Sequence, residues 1–245
     1  MSLLDNVCVV LVEPQHPGNV GMVCRAMKNM GLTRLRVVKG CRIDHPDAVK
    51  FAVSAKDLIG RAERFETLAE ALADIEVSIA TTRRHGKYRQ EVMTAAEAAD
   101  RLLPHLGAHR AALVFGREDS GLTTGEGSLC RWNATIPTGD DYGSLNLAQA
   151  VLIFGYELFS RSSSVTFRDE RLLAGGGELE TCFRQMEEVF LKIGFLNPQN
   201  PDHIMRSMRR IFFRAELDSR EVAILRGLLT QVDWASGNFE GKKKV

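Results

Sequence analysis

The chain has 245 residues, 44% of them apolar, enough for one large domain or for a larger and a smaller one. Lys and Arg (32) nearly balance Asp and Glu (31), so the net charge of +1 excludes a globally basic nucleic-acid binder, and any such surface must be local. Five widely spaced cysteines without a C-x-x-C pair argue against a disulfide framework or a zinc site, and no apolar run reaches the ~18–20 residues that span a bilayer.

The start M-S-L-L-D-N has neither a basic segment nor a small-residue cleavage site, which predicts a soluble cytoplasmic protein. Val7–Glu13 is a continuous β-branched run, the pattern of a strand buried on both faces. Pro14, Pro17 and Gly18 end it, and Asn19 is the expected N-cap of a helix over Val20–Met30 that Gly31 closes. On that helix Val20, Val23, Cys24, Met27 and Met30 should face a sheet. Gly21 and Arg25 share a different face, where the glycine leaves room for a close approach.

Leu35–Lys39 reads as a second strand, Ala48–Ile59 as a helix closed by Gly60, and Leu68–Ala73 as a short helix. Ile75–Thr82 is a third strand, running into the basic segment R-R-H-G-K-Y-R at 83–89. Ala95–Leu106 is helical until Pro104 stops it, and Ala111–Gly116 is a fourth strand followed by R-E-D-S-G-L. Thr123 and Glu126 form a capping box for a short helix. Ile136 falls in a fifth strand; after a loop through Pro137, Gly139 and Gly143, Ser144 is the expected N-cap of a long apolar helix. Strands alternating with helices predict a mostly parallel sheet covered on both faces over residues 1–161.

Residues 162–177 are Ser- and Gly-rich and read as a linker, leaving 178–245 as a helical extension. Leu179, Phe183, Met186, Val189, Phe190 and Ile193 have amphipathic spacing; His203–Phe213 forms a second helix. Asp218 and Glu221 cap a third, with Val222, Leu225, Leu228, Leu229 and Val232 on its apolar face. The K-K-K-V tail is expected to fray.

Three strand-end turns stand out, at 81–84, 115–122 and 137–146. They are small, polar and Gly-rich, and could enclose a planar heterocycle with a polar tail. None is a G-x-G-x-x-G or G-x-x-x-x-G-K-[ST] loop, which counts against a flavodoxin-like nucleotide enzyme, and no metal-ligand spacing is present. The stretches E-P-Q-H-P-G-N-V-G-M-V-C-R-A-M (13–27), L-V-F-G-R-E-D-S-G-L (113–122) and I-P-T-G-D-D-Y-G-S-L-N-L-A-Q-A-V (136–151) resemble, in order and separation, the signature motifs of the SpoU branch of SPOUT methyltransferases. M-R-S-M-R-R-I-F-F-R-A (205–215) with E-V-A-I-L-R-G-L-L (221–229) resembles the helical extension of TrmJ-type tRNA 2′-O-methyltransferases.

The resemblance implies an α/β SPOUT fold with a C-terminal trefoil knot, an all-helical extension, S-adenosylmethionine as cofactor without a metal, and a homodimer. The implied substrate is the ribose at nucleotide 32 (C or U) of the tRNA anticodon loop, with neither DNA nor membrane as partner. Another tRNA or rRNA position, or a non-catalytic RNA-binding homologue, are the competing readings. Cofactor contacts fall on Thr81, Thr82, Arg83 (through its backbone), Gly116, Ile136, Ser144, Leu145 and Asn146.

By the same resemblance catalysis falls on Arg25, supported by Asn19, Glu118 and Asn146. A guanidinium is a poor base, so Arg25 is expected to hold the adjacent phosphate and promote ionisation of the 2′-hydroxyl. Glu118 could instead pair with Arg117 or Arg25. Arg206, Arg209, Arg210 and Arg214 cluster on one helical stretch suited to phosphate, with 206, 210 and 214 on a shared face, and Arg83, Arg84, Lys87 and Arg89 form a second basic patch at the mouth of the site.

Overall fold

The computed structural model describes residues 2–82, 92–139, 143–162 and 172–238. The expected basic residues Arg83, Arg84, Lys87 and Arg89 lie outside these. The chain divides into two compact units, Met1–Glu170 and Arg171–Val245.

Among the described residues of the first unit, seven strands form one parallel sheet: β1 (Val7–Val12), β2 (Arg34–Val38), β3 (Glu63–Phe65), β4 (Val77–Thr81), β5 (Val92–Thr94), β6 (Ala111–Phe115) and β7 (Trp132–Thr135), in the order β3-β2-β1-β6-β4-β7-β5. β1 and β6 are buried along their whole length and pair in register from Val7–Ala111 to Leu11–Phe115. That is why V-C-V-V-L-V and A-A-L-V-F read as unbroken apolar runs rather than alternating ones. Glu63–Phe65 and Val92–Thr94 were not anticipated; each has three residues and sits at a sheet edge, too short for any periodicity to register.

Helices cover both faces. On one, Cys8, Val10, Val12, Ala112 and Val114 pack with Leu68, Ala71 and Leu72 around α4 (Leu68–Ala71). On the other lie α1 (Pro17–Asn29), α5 (Ala95–Leu102) and α7 (Leu147–Arg161), with Phe154 meeting Phe115 edge-on at 5.7 Å. α2 (Pro46–Ala52) lies against α1 so closely that a Cβ on Gly21 would come within 2.2 Å of the Ala48 carbonyl oxygen. The close approach foreseen at Gly21 is therefore made by a neighbouring helix and not by a ligand. The single helix expected over Ala48–Ile59 breaks at Val53, which takes a left-handed φ of 52°; a 3₁₀ turn then leads into α3 (Lys56–Arg61).

Two helix caps differ from expectation, and both differences shape the site. Pro17 is the first residue of α1, because its fixed φ suits that position, so the N-cap is His16 and Asn19 sits inside the first turn. At α7 the cap is Asn146 and not Ser144: its Oδ1 accepts from the Ala148 N–H while Gln149 Oε1 accepts from the Asn146 N–H. By contrast Thr123 and Glu126 form the expected reciprocal box on α6 (Thr124–Ser128), and a 3₁₀ turn carrying Pro104 ends α5. Ile136 lies just beyond β7.

The second unit is helical: α8 (Gly176–Lys192), α9 (Asp202–Ala215) and α10 (Ser219–Asn238). Leu179, Cys182, Phe183, Met186 and Val189 pack with Leu196, Met205, Phe213, Val222 and Leu229. Ile193 is exposed because α8 has ended, and Leu196 fills the core in its place. Leu228 is 59% exposed, since 222, 225, 229 and 232 already occupy the buried stripe and 228 falls beside it. Asp218 and Glu221 exchange the expected capping bonds at 2.8 and 3.1 Å.

Candidate active site

The carboxyl ends of β4, β6 and β7 open into one cleft, the place where parallel α/β sheets offer a ligand site. Thr81 and Thr82 line it from β4, residues 115–122 from β6, and Ala134, Thr135 and Ile136 from β7. Gly143, Ser144 and Leu145 close it from the turn before α7, whose Leu147, Ala150 and Phe154 form an apolar wall. Thr81 Oγ1 donates to the Val114 carbonyl at 2.9 Å and the Thr82 N–H donates to Ala134 at 2.9 Å, fixing the β4 end between its neighbours.

The loop after β6 folds back on itself. Arg117 and Gly121 exchange main-chain bonds at 3.3 and 2.9 Å, and Gly121 has a φ of +71°. A Cβ on Gly116 would stand 2.2 Å from the Gly121 carbonyl carbon, so the return of the loop requires glycine there.

From this loop Glu118 reaches the start of α1. Its Oε2 accepts from the Gln15 N–H at 2.9 Å, and its Oε1 from the His16 N–H at 3.3 Å and from Asn19 Nδ2 at 2.9 Å. A carboxylate on the amino end of a helix satisfies donors there and meets the positive end of the dipole. Asn19 Oδ1 in turn accepts from Asn146 Nδ2 at 3.0 Å. Glu118, Asn19 and Asn146 thus form one hydrogen-bonded chain from the β6 loop through α1 to α7. The alternative partners considered for Glu118 are not used: Arg117 pairs instead with Glu13 at 2.9 Å and Glu126 at 3.0 Å.

Of the expected cofactor residues, Thr81, Thr82, Gly116, Ile136, Ser144 and Leu145 line the cleft, Asn146 caps the helix at its rim, and Arg83 is outside the described residues. Arg25 is exposed on α1 and neither lines the cleft nor bonds to Asn19, Glu118 or Asn146 among the described residues. The wall formed by Leu147, Ala150 and Phe154 was missed, because spacing of i, i+3 and i+7 reads equally well as plain core packing. On α9, Arg209 is turned inward: it forks onto Glu180 at 2.6 and 2.8 Å and stacks over the Phe183 ring at 4.6 Å. Arg214 is exposed, and Arg206 and Arg210 are half-buried, Arg210 donating to Ser207 Oγ at 3.0 Å.

A parallel sheet with a cleft at its strand ends, walled by three turns and a capped helix, is the frame of an α/β protein built to hold a small ligand. The chain belongs to the SpoU rRNA Methylase family, whose model matches residues 6–156. The model of the tRNA methyltransferase TrmJ C-terminal domain matches residues 177–243. A tRNA (cytidine/uridine/adenosine-2′-O-)-methyltransferase TrmJ of Pseudomonas aeruginosa is 37% identical, over 98% of this chain and 99% of that one. The crystal structure of TrmJ from Z. mobilis ZM4 superposes with a TM-score of 0.81 at 32% identity, covering 92% of this chain and 98% of that one. The SpoU methyltransferase AviRb from Streptomyces viridochromogenes, in complex with the cofactor AdoMet, shares the fold with a TM-score of 0.53 at 21% identity, covering 66% and 62% of the two chains.

Proposed function

We propose that the protein transfers the methyl group of S-adenosylmethionine to the 2′-oxygen of a tRNA ribose, at cytidine or uridine 32 of the anticodon loop. The observation that carries this reading is the Glu118–Asn19–Asn146 chain at the rim of the cleft, in a protein that also has the TrmJ C-terminal domain. The cleft suits the cofactor: Ile136, Leu145, Leu147, Ala150 and Phe154 offer apolar surface for an adenine, while Glu118, Asp119 and Ser144 provide polar groups. When bound, S-adenosylmethionine supplies an electrophilic methyl on a positively charged sulfur.

Transfer would need the ribose 2′-oxygen held in line with that methyl carbon, and the 2′-proton would pass to phosphate or water. Asn19 and Glu118 hold the first turn of α1 against the cofactor loop. Arg25, six residues further along the helix, binds the neighbouring phosphate and stabilises developing oxyanion character. The exposed Arg214, with Arg206 and Arg210, extends phosphate contact to the second unit. Arg209 serves that unit's own packing.

The reading includes a homodimer and a trefoil knot. Leu152, Tyr156 and Phe159 stand exposed at i, i+4 and i+7 on the outer face of α7, a stripe suited to a second copy. β7 lies between β4 and β5, and α7 returns against α1 and α5, an arrangement compatible with threading of the chain end. A cytoplasmic setting is favoured by five free cysteines, with burial pushing Cys8, Cys24 and Cys130 up to about 12 and so keeping them unreactive. No described helix is long and apolar enough to cross a membrane.

The test is methyl transfer from radiolabelled S-adenosylmethionine to bulk tRNA and, separately, to rRNA. Label in tRNA supports the reading. Label confined to rRNA favours a different RNA substrate, and binding of both ligands without transfer identifies a non-catalytic homologue.

A further inference from the structure

We infer that Arg117 is a positioning residue, a clamp that locks the cofactor-side loop to the turn from which α1 starts. An arginine on the edge of a cleft that handles RNA would ordinarily be assigned to phosphate. The geometry assigns this one elsewhere. Nε donates to Glu13 Oε2 at 2.9 Å, Nη1 to Glu126 Oε2 at 3.0 Å and to the Gly121 carbonyl at 3.3 Å, and Nη2 to Glu126 Oε1 at 3.0 Å. A guanidinium has five N–H groups, and these bonds leave little of it for a ligand. Hydrogen bonds to Glu126 and then Glu13 push the guanidinium pKa further up. Burial works against ionisation of Glu126, yet the Arg117 fork and the Thr123 donors keep its carboxyl below the ordinary value.

The three anchors belong to different parts of the fold. Gly121 closes the loop that lines the cleft, Glu126 belongs to the capping box of α6, and Glu13 is the first residue beyond β1. Glu13 has a left-handed φ of 46°, and its N–H donates to Val38 at 2.8 Å. Lys39 and Gly40 opposite are also left-handed, and a Cβ on Gly40 would lie 2.5 Å from Pro14. Strain of this kind at a non-glycine residue persists where surrounding contacts over-determine it, and the Arg117 bond is one such contact. The next loop residue, Glu118, binds the N–H groups of Gln15 and His16. Consecutive side chains of one loop therefore hold residues 13 to 19, and through them the helix that carries Arg25.

The proposal rests on the cofactor lying in the cleft, and it predicts that the two carboxylates divide the effect. Glu126→Gln loosens the loop and raises KM for S-adenosylmethionine about tenfold, with a much smaller fall in kcat. Glu13→Gln frees the α1 turn and lowers kcat about tenfold, with KM for the cofactor within twofold. Arg117→Lys does both, because one ammonium cannot fork onto Glu126 while holding Glu13. Steady-state kinetics of the full chain, normalised to the folded fraction from thermal melts, reads this split. A merely structural arginine would lower the folded fraction and leave the normalised KM and kcat of all three variants at wild-type values, and that result overturns the clamp. Ala150→Phe, which fills the cleft wall, is the control and should abolish cofactor binding by calorimetry. If it binds the cofactor normally, the cleft assignment fails and the clamp with it; if it does not, the kinetic split alone decides.

Discussion

Asn146 Nδ2 donates to Asn19 Oδ1 across 3.0 Å, joining the first turns of α7 and α1, while Asn146 Oδ1 caps α7 through the Ala148 N–H. One side chain thus starts a helix and ties it to the helix carrying the proposed phosphate-binding arginine. Asn146→Ala should cost about 1 kcal/mol of stability as a lost cap, and roughly 0.5–1.5 kcal/mol of cofactor affinity. Denaturant melts and calorimetry measure the two separately. Unchanged cofactor affinity would place the ligand away from this turn.

Arg25→Ala should leave cofactor affinity within a few-fold of wild type, because Arg25 does not line the cleft. Methyl transfer should fall by about 10²-fold or more, the usual effect of removing one group that stabilises developing charge. A large loss of S-adenosylmethionine binding in a folded Arg25→Ala protein would refute the assigned role.

The arginines of α9 are expected to behave differently from one another. Replacing Arg206, Arg210 and Arg214 together by Ala should weaken tRNA binding and reduce the slope of log affinity against log salt by about 0.7–0.9 per phosphate contact removed. Arg209→Ala should instead destabilise the helical unit, since it opens the Glu180 fork and uncovers Phe183. A chain ending after Ser162 should retain cofactor binding and lose tRNA affinity. If that shorter chain methylates tRNA as well as the whole, the stripe is only a solvated face.

Stability should depend on pH through Asp74. Arg36, almost fully buried, donates to its two oxygens at 2.5 and 2.9 Å, and Arg110 adds a third bond at 2.7 Å. Hydrogen bonding from Arg36, against an opposing effect of burial, holds the Asp74 carboxyl well below the ordinary value. A depressed folded-state pKa contributes stability in full above the unfolded value of ~3.9, and that contribution is lost as pH falls below it. Asp74 is 40% exposed and partly screened, so Asp74→Asn should cost about 1–2 kcal/mol at pH 7. The difference from wild type should shrink by pH 3 in urea melts, whereas a difference independent of pH would remove the ion pair from this account.

Much of the frame was legible in the residues. The unbroken run at 7–12 marks a strand buried on both faces, and the Thr123–Glu126 and Asp218–Glu221 pairs mark helix starts. Ser144 and Asn146 are both capping residue types; the reciprocal bond with Gln149 three residues on makes Asn146 the cap, and the Asn19 contact across the gap adds to it. Asn19 looked like a cap because the fixed φ of Pro17, two residues earlier, carried less weight than the Asn side chain. Six of the eight expected cofactor residues line the cleft because short polar turns at strand ends are local features. The Arg117 clamp was not legible, since Glu13, Arg117 and Glu126 come together only when β1 and β6 pair. Spacing already sets Arg209 off the face shared by 206, 210 and 214, but its partner Glu180 on α8 is not visible in the sequence.

Nucleoside mass spectrometry of a defined tRNA, incubated with the protein and S-adenosylmethionine and then cut by a base-specific nuclease, tests the account most directly. The account predicts one added methyl group on the ribose of nucleotide 32, and none when Arg25 is replaced by Ala. A methyl group on a base, or on a ribose outside the anticodon loop, would contradict it.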